Sequence, residues 1–420
     1  MDQQTGSGHS PYCAEAADKA SVVRGWGNGY HAIGASTEKV GRAFENADAA
    51  ARRAHPVEGQ GAVKTFDDAT LGEARIADAV DRVHRALDKG GLGVTSSDLD
   101  AIRDVFGRLS RQEREALVMR LSTRDLEIWG DQMNESRYKG GWSVQERDAF
   151  FSTLLPHLST DALERLARTN PYLRPKFDGK HEYGEAEYWR DPGIFGPTID
   201  DIDQGATGDC YFLAALGAVA QANPDRVRKM VRRNANGTYT VTFHERGSWD
   251  AKASTFQVTV LPEFASGLNA APRDDDQFYM QIIEKAWAQH GEGYDKVGGT
   301  GRFDGSRPAI ALEFITGHES SGSGVTTLKN FDPIRTALRD GRALTASTDA
   351  FNKEITARLP DGGTARVRIP TRHVYAIKEV RGDMIVLRNP WGADSSEPAE
   401  IMLTIDEFRS NFMRYNEVPG

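Results

Sequence analysis

The chain has 420 residues, 39% of them hydrophobic and 27% charged, and a formal net charge of −9. That is enough apolar material for two or three domains with their own cores, and the acidic balance argues against a nucleic-acid partner. Its two cysteines, Cys13 and Cys210, exclude a disulfide framework. No apolar run reaches the length of a membrane span, and the N-terminus lacks the basic and apolar regions of a signal peptide. The expected location is cytoplasmic, or outside the cell by a route that needs no such peptide.

Residues 1–60 are rich in Ala, Gly and charge, and 36–53 reads as an amphipathic helix capped by Ser36 or Thr37. Residues 61–175 read as helical and carry a near-repeat. The run 110–116 recurs as 143–149, and Leu121-Ser122-Thr123 recurs as Leu158-Ser159-Thr160. Both copies open with a Ser-x-x-Glu capping box and continue into a second capped helix, with Gly140-Gly141 between them. A bundle of helical hairpins follows, without nucleophile or ligand cluster, and its expected role is a scaffold. Binding a partner or inhibiting the region that follows are the alternatives. These Ser-capped, Trp-bearing hairpins resemble segments ahead of toxin domains in actinobacterial polymorphic and type VII secreted proteins, although Trp26-Gly27-Asn28-Gly29 misses the tight Trp-x-Gly of the type VII substrates by one residue.

Residues 176–192, with Tyr183, Tyr188 and Trp189, lead into a core expected to split into a mostly helical half, 193–322, and a β half, 323–420. The run 211–220 is apolar without alternation, which predicts an enclosed helix ending before Pro224. Arg226, Arg228, Lys229, Arg232 and Arg233 read as the solvated face of the next helix. Strands are expected at 238–243 and 255–260, and a helix at 333–340. A hairpin over 358–369 turns at Asp361-Gly362-Gly363, antiparallel strands follow at 374–380 and 384–387, and a last helix is expected at 406–415.

Cys210 opens the enclosed helix, where the helix dipole and unpaired N–H groups favour the thiolate. Gln204, six residues upstream, can donate to an oxyanion beside the Cys210 N–H, and Gly205 and Gly208 allow tight passage of the backbone beneath. Asp209 reads as the helix cap. A thiol nucleophile needs a base, and His373 at the head of a strand is the candidate. Antiparallel pairing brings Asn389 back beside His373, where its side-chain carbonyl would accept the Nδ1 hydrogen bond and Trp391 would cover it. Alone, each residue has a plainer reading: a buried Cys is usually a small hydrophobe and Asn-Pro-Trp-Gly simply a good turn.

In order, they resemble the calpain family of papain-like cysteine proteases. Gln204-Gly-Ala-Thr-Gly-Asp-Cys210 is similar to its cysteine box, 371–377 to its histidine strand, Arg388-Asn-Pro-Trp-Gly392 to its asparagine box, and Glu284-Lys285-Ala286-Trp287-Ala288 with Gly298-Gly299 to its central helix and glycine turn. The resemblance implies an α+β, papain-like core and a cysteine endopeptidase acting on protein substrates. It implies catalytic Cys210, His373 and Asn389 with Gln204 as oxyanion donor, and Gly208 and Trp391 in the cleft. It also implies calcium in each half. Gly196 and Asp201 fall at ligand positions, but Gln277 stands where an acid is expected, near Asp274, Asp275 and Asp276. The second loop is shortened to Asp394, Glu397 and Glu400, with Ser395 in an acid's place. Calcium is therefore expected to bind weakly and not to be required. The alternatives are acyl transfer to an amine, as in the transglutaminase relatives of this fold, against which Asn389 counts, and a binding protein without catalysis.

Overall fold

The computed structural model describes residues 64–90, 93–175, 197–245, 254–264, 278–300, 308–348, 353–393 and 395–420. The helix expected at 36–53 lies outside them, as do Cys13 and Trp26. The chain divides into two compact units, 1–81 and 82–420; the first is described only over the opening turns of helix α1 (Lys64–Leu87).

The second unit begins with the helical repeat. Helices α2 (Ser96–Arg108), α3 (Arg111–Arg120), α4 (Thr123–Asn134), α5 (Val144–Leu154) and α6 (Thr160–Thr169) follow one another through short links. Both expected capping boxes form: Ser110 and Ser143 each accept from the N–H of the Glu three residues on, which bonds back to their own N–H. Ser122 and Ser159 cap the second helix of each pair. The pairs close on an aromatic centre in which Phe106 stacks on Trp129 at 5.3 Å and Phe150 meets both edge-on. Gly140, at φ 86°, makes the left-handed turn between them.

The rest of the unit is mixed. Helix α7 (Cys210–Ala222) is buried over 210–220, which explains its continuous apolarity. It is followed by α8 (Pro224–Met230) and by the antiparallel sheet of β1 (Val231–Arg233), β2 (Tyr239–His244) and β3 (Thr255–Val260). Helices α9 (Tyr279–His290) and α10 (Pro308–Thr316) complete this half. Phe212 of α7 stacks on Trp287 of α9 at 4.6 Å, and Trp287 Nε1 donates to the Tyr211 hydroxyl at 3.0 Å.

The β half is an eight-stranded antiparallel sheet in the order β4-β11-β5-β8-β9-β10-β6-β7. In chain order these are β4 (Ser321–Gly324), β5 (Arg342–Thr348), β6 (Lys353–Arg358), β7 (Thr364–Ile369), β8 (Val374–Arg381), β9 (Met384–Arg388), β10 (Glu400–Thr404) and β11 (Phe412–Pro419), with helices α11 (Asp332–Arg339) and α12 (Ile405–Asn411). The expected α+β class holds, as does the hairpin, which closes with Arg358 opposite Thr364. Two expectations change. The last helix stops at Asn411, because 412–419 is drawn out between β4 and β5, where both edges of its backbone find partners. The basic cluster is not one helix face: Arg232 and Arg233 lie on β1, and the Arg226 guanidinium donates to Thr316 O at 2.7 Å and Gly420 O at 3.1 Å.

Candidate active site

Helix α7 packs against β5 and β8, and Ala343, Val374, Ala376 and Val418 of the sheet join its hydrophobic cluster. This contact places Cys210, the first residue of α7, against the start of β8. The thiol is 6% exposed and receives backbone N–H groups of Val374 and Tyr211. Burial, with a smaller push from the Asp209 charge, raises it to about 12. This direction is opposite to the lowering expected of a helix terminus, with burial as its main cause.

His373 stands just ahead of β8 and Asn389 just beyond β9, at the same end of the ladder that pairs Ala376 with Arg388. Both are 1% exposed. His373 Nε2 meets Asn389 Oδ1 at 2.9 Å, and the Trp391 N–H donates to the same oxygen at 3.2 Å. The second donor identifies that atom as the amide oxygen, so Nε2 carries the imidazole proton and Nδ1 is left as the basic nitrogen. This corrects the expectation that Asn389 accepts from Nδ1; the contact runs through the other nitrogen because the ring presents that edge to the β9 end. Burial holds the imidazole down to about 4, partly opposed by the Asn389 bond. Trp391 packs on the ring at 4.7 Å between centroids, as expected of a cover, and Tyr375 meets it edge-on at 5.0 Å. Thr348, which the sequence did not single out, holds the His373 backbone: its Oγ1 accepts from His373 N at 2.9 Å, and its N–H donates to His373 O at 2.9 Å. A Thr ending a strand carries no signal of that role.

Gln204 is 4% exposed and reaches the same place from the loop before α7. Its backbone N–H donates to Pro390 O at 2.8 Å, and its Nε2 donates to Thr207 O and, at 3.4 Å, to Asp209 Oδ1. Asp209 makes no side-chain cap bond, contrary to expectation, because its carboxyl turns inward toward Gln204 and Glu284. Gly208 crosses Gly298 so closely that a Cβ would lie 2.5 Å from Gly298 O, which brings the glycine turn after α9 under the cysteine loop.

Of the residues at the implied calcium positions, Gly196, Asp274, Asp275, Asp276, Gln277 and Asp394 lie outside the described residues. Asp201 Oδ2 accepts from the N–H and hydroxyl of Thr198, closing a capping box, and Glu400 pairs with Lys378 at 2.5 Å. Glu397 Oε2 accepts from Arg368 N at 3.0 Å. Among the described residues no three His, Cys, Asp or Glu side chains gather as a metal site would require.

The family model described as "Calpain family cysteine protease" matches residues 186–398, just over half of the chain and the stretch holding Gln204, Cys210, His373 and Asn389. Among curated proteins, Calpain-type cysteine protease ADL1 of Oryza sativa subsp. japonica is 26% identical over 263 residues, covering 59% of this chain and 11% of that protein. Calpain-9 of Rattus norvegicus is 25% identical over 235 residues, with coverages of 49% and 31%, and Calpain clp-4 of Caenorhabditis elegans 24% over 229 residues, with coverages of 49% and 30%. The chain spans less than a third of the length of these curated relatives. The helix that opens at Cys210 docks on a sheet beside His373 and Asn389, and the family model spans all of them: the chain belongs to the calpain family of cysteine proteases.

Proposed function

We propose that the chain is an endopeptidase in which Cys210 is the nucleophile, His373 the proton carrier, Asn389 the group that orients His373, and Gln204 an oxyanion donor. The observation that carries this reading is the doubly donated Asn389 oxygen, which leaves His373 Nδ1 as the free base. Sγ bonds to the scissile carbonyl carbon as its proton passes to Nδ1. The carbonyl oxygen, now anionic, takes hydrogen bonds from the Gln204 side chain and the Cys210 N–H. The C–N bond breaks as Nδ1 returns the proton to the leaving amine, and a water deprotonated at Nδ1 then hydrolyses the thioester.

With the thiol raised and the imidazole lowered by burial, both groups are neutral at rest. Once the proton has passed from Sγ to Nδ1, the two opposite charges would stabilise each other. We propose further that calcium is not required, since Asp201, Glu397 and Glu400 already have protein partners.

The test is casein cleavage by the full chain, with calcium and with chelator, beside Cys210→Ala. Cleavage lost with Cys210→Ala supports the assignment; equal cleavage by both overturns it. The resemblance of residues 61–175 to segments ahead of toxin domains favours a delivered effector. Growth arrest of a host expressing the active chain but not Cys210→Ala would support that, and harmless expression of active protease would refute it.

A further inference from the structure

Two carboxyls lie in the dry interior directly behind the nucleophile, and the reaction as written uses neither. Asp209, the residue before Cys210, and Glu284, on α9, are both 0% exposed, and the Glu284 side chain lies within hydrogen-bonding reach of the Asp209 carboxyl. Two carboxylates without a proton cannot make such a bond; one of them must donate. Among the described residues, no donor is found for Asp209 Oδ2, and a proton held between the acids would satisfy it. Burial pushes Asp209 up to about 7, opposed by its hydrogen bonds, those from Glu284 and Gln204 among them.

The other oxygen of Asp209 meets the Gln204 amide, whose shorter bond goes to Thr207 O. Its Oδ1 accepts from Gln204 Nε2 at 3.4 Å, a long bond that can orient the amide yet yield to a stronger acceptor. Glu284 is held by its own helix: Trp287, one turn on along the same face of α9, stacks on Phe212 and donates to Tyr211, so α9 and the start of α7 are locked together around the acid pair. We propose that Glu284 is a positioning residue: it keeps a proton against Asp209 and thereby fixes the carboxyl that aims the Gln204 amide at the developing oxyanion. The inference rests on the reading of Gln204 as oxyanion donor given above.

The experiment is steady-state cleavage of a fluorogenic peptide by the full chain carrying Glu284→Met, Glu284→Gln, Gln204→Ala, or Glu284→Met with Gln204→Ala, each checked for folding by thermal unfolding. Met fills the space without a donor; Gln supplies a permanent one. Glu284→Met should lower kcat about tenfold or more with little change in KM, Glu284→Gln should restore most of that loss, and the double variant should be no slower than Gln204→Ala alone. Glu284→Met at wild-type kcat beside an impaired Gln204→Ala would overturn the relay and leave the oxyanion reading intact. Wild-type kcat in Gln204→Ala would overturn that reading itself. Equal losses with Met and Gln, or losses that multiply in the double variant, would reduce Glu284 to packing. If Glu284→Met does not fold, infrared spectroscopy decides: a protonated-carboxyl C=O stretch in the wild type that is missing from Glu284→Gln supports the proposal, and its absence from the wild type refutes it.

Discussion

At Cys210 two effects oppose each other. The helix terminus favours the thiolate by roughly 1 kcal/mol, whereas removal from water favours the thiol and pushes it up. Burial leaves a second mark in the pH dependence of stability. His373 is lowered to about 4 from 6.5, so the unfolded chain takes up a proton that the folded chain refuses. Its contribution, at most about 3 kcal/mol, is present above the unfolded value and lost as pH falls toward about 4. Asp209 has the opposite sign. Raised from 3.8 to about 7, it contributes stability in acid that is lost as pH rises through the folded value. Between about pH 4 and 6.5 the two slopes oppose. Urea unfolding across that window should show His373→Gln gaining on the wild type as pH falls and Asp209→Asn gaining as pH rises; parallel curves would sink both assignments. Asn389→Ala, which frees the imidazole to choose its tautomer, should lower kcat about a hundredfold while leaving the fold intact, a split that single-turnover kinetics would check.

At the level of elements, the helical repeat is built onto the protease half. Helix α5 lies along β3, and Asn236 Nδ2 donates to Leu155 O and Leu158 O, both at 2.7 Å. Arg174 makes a bidentate pair with Glu263 at 2.8 and 2.9 Å. At the centre Asp148, 1% exposed, accepts from His290 Nδ1 at 2.6 Å and from the Tyr172 hydroxyl. Removing that acid strands two buried donors, so Asp148→Leu should cost about 3 kcal/mol or more and shift one cooperative transition rather than split it, as calorimetry would show. A chain beginning after residue 175 should bare β3 and aggregate, visible in gel filtration; a well-behaved monomer would contradict this. None of these contacts was legible in the sequence. The capping boxes were, because Ser110 and Glu113 act within one turn, whereas Asp148 and His290 are brought together only by docking.

Across the whole molecule, the two halves of the calpain-like region are clasped beside Cys210. Pro390 O accepts from Gln204 N, and the Arg388 guanidinium reaches Asp200 O at 3.3 Å. Gly392, at φ +76°, lets the asparagine turn close on the cysteine loop, since a Cβ there would lie 2.5 Å from Asp203 Oδ1 and 2.8 Å from its Cα. Gly392→Ala should therefore push the Asn389 side away from the Gln204 side and lower kcat about a hundredfold or more, with a stability loss of about 1–3 kcal/mol. Wild-type activity in that variant would show that the clasp does not set the site. Because this clasp is made by protein groups, chelator should leave casein cleavage within about twofold of that with calcium; cleavage only with calcium would mean that the halves need an ion to meet.

The sequence by itself determined what is local or ordered along the chain: the capped helices, the enclosed helix opening at Cys210, the hairpin at Asp361-Gly362-Gly363, and the succession of Gln204, Cys210, His373 and Asn389. These follow from periodicity, turn chemistry and residue type, which act over a few positions. Tertiary structure decided everything that depends on the direction and burial of a side chain. It turned Nε2 of His373 toward Asn389, drew Asp209 inward to Gln204 and Glu284, extended 412–419 into a strand, and buried the thiol. Hydrogen-bond partners and loss of water are supplied by segments far apart in the chain, and no window of sequence contains both sides of such a contact.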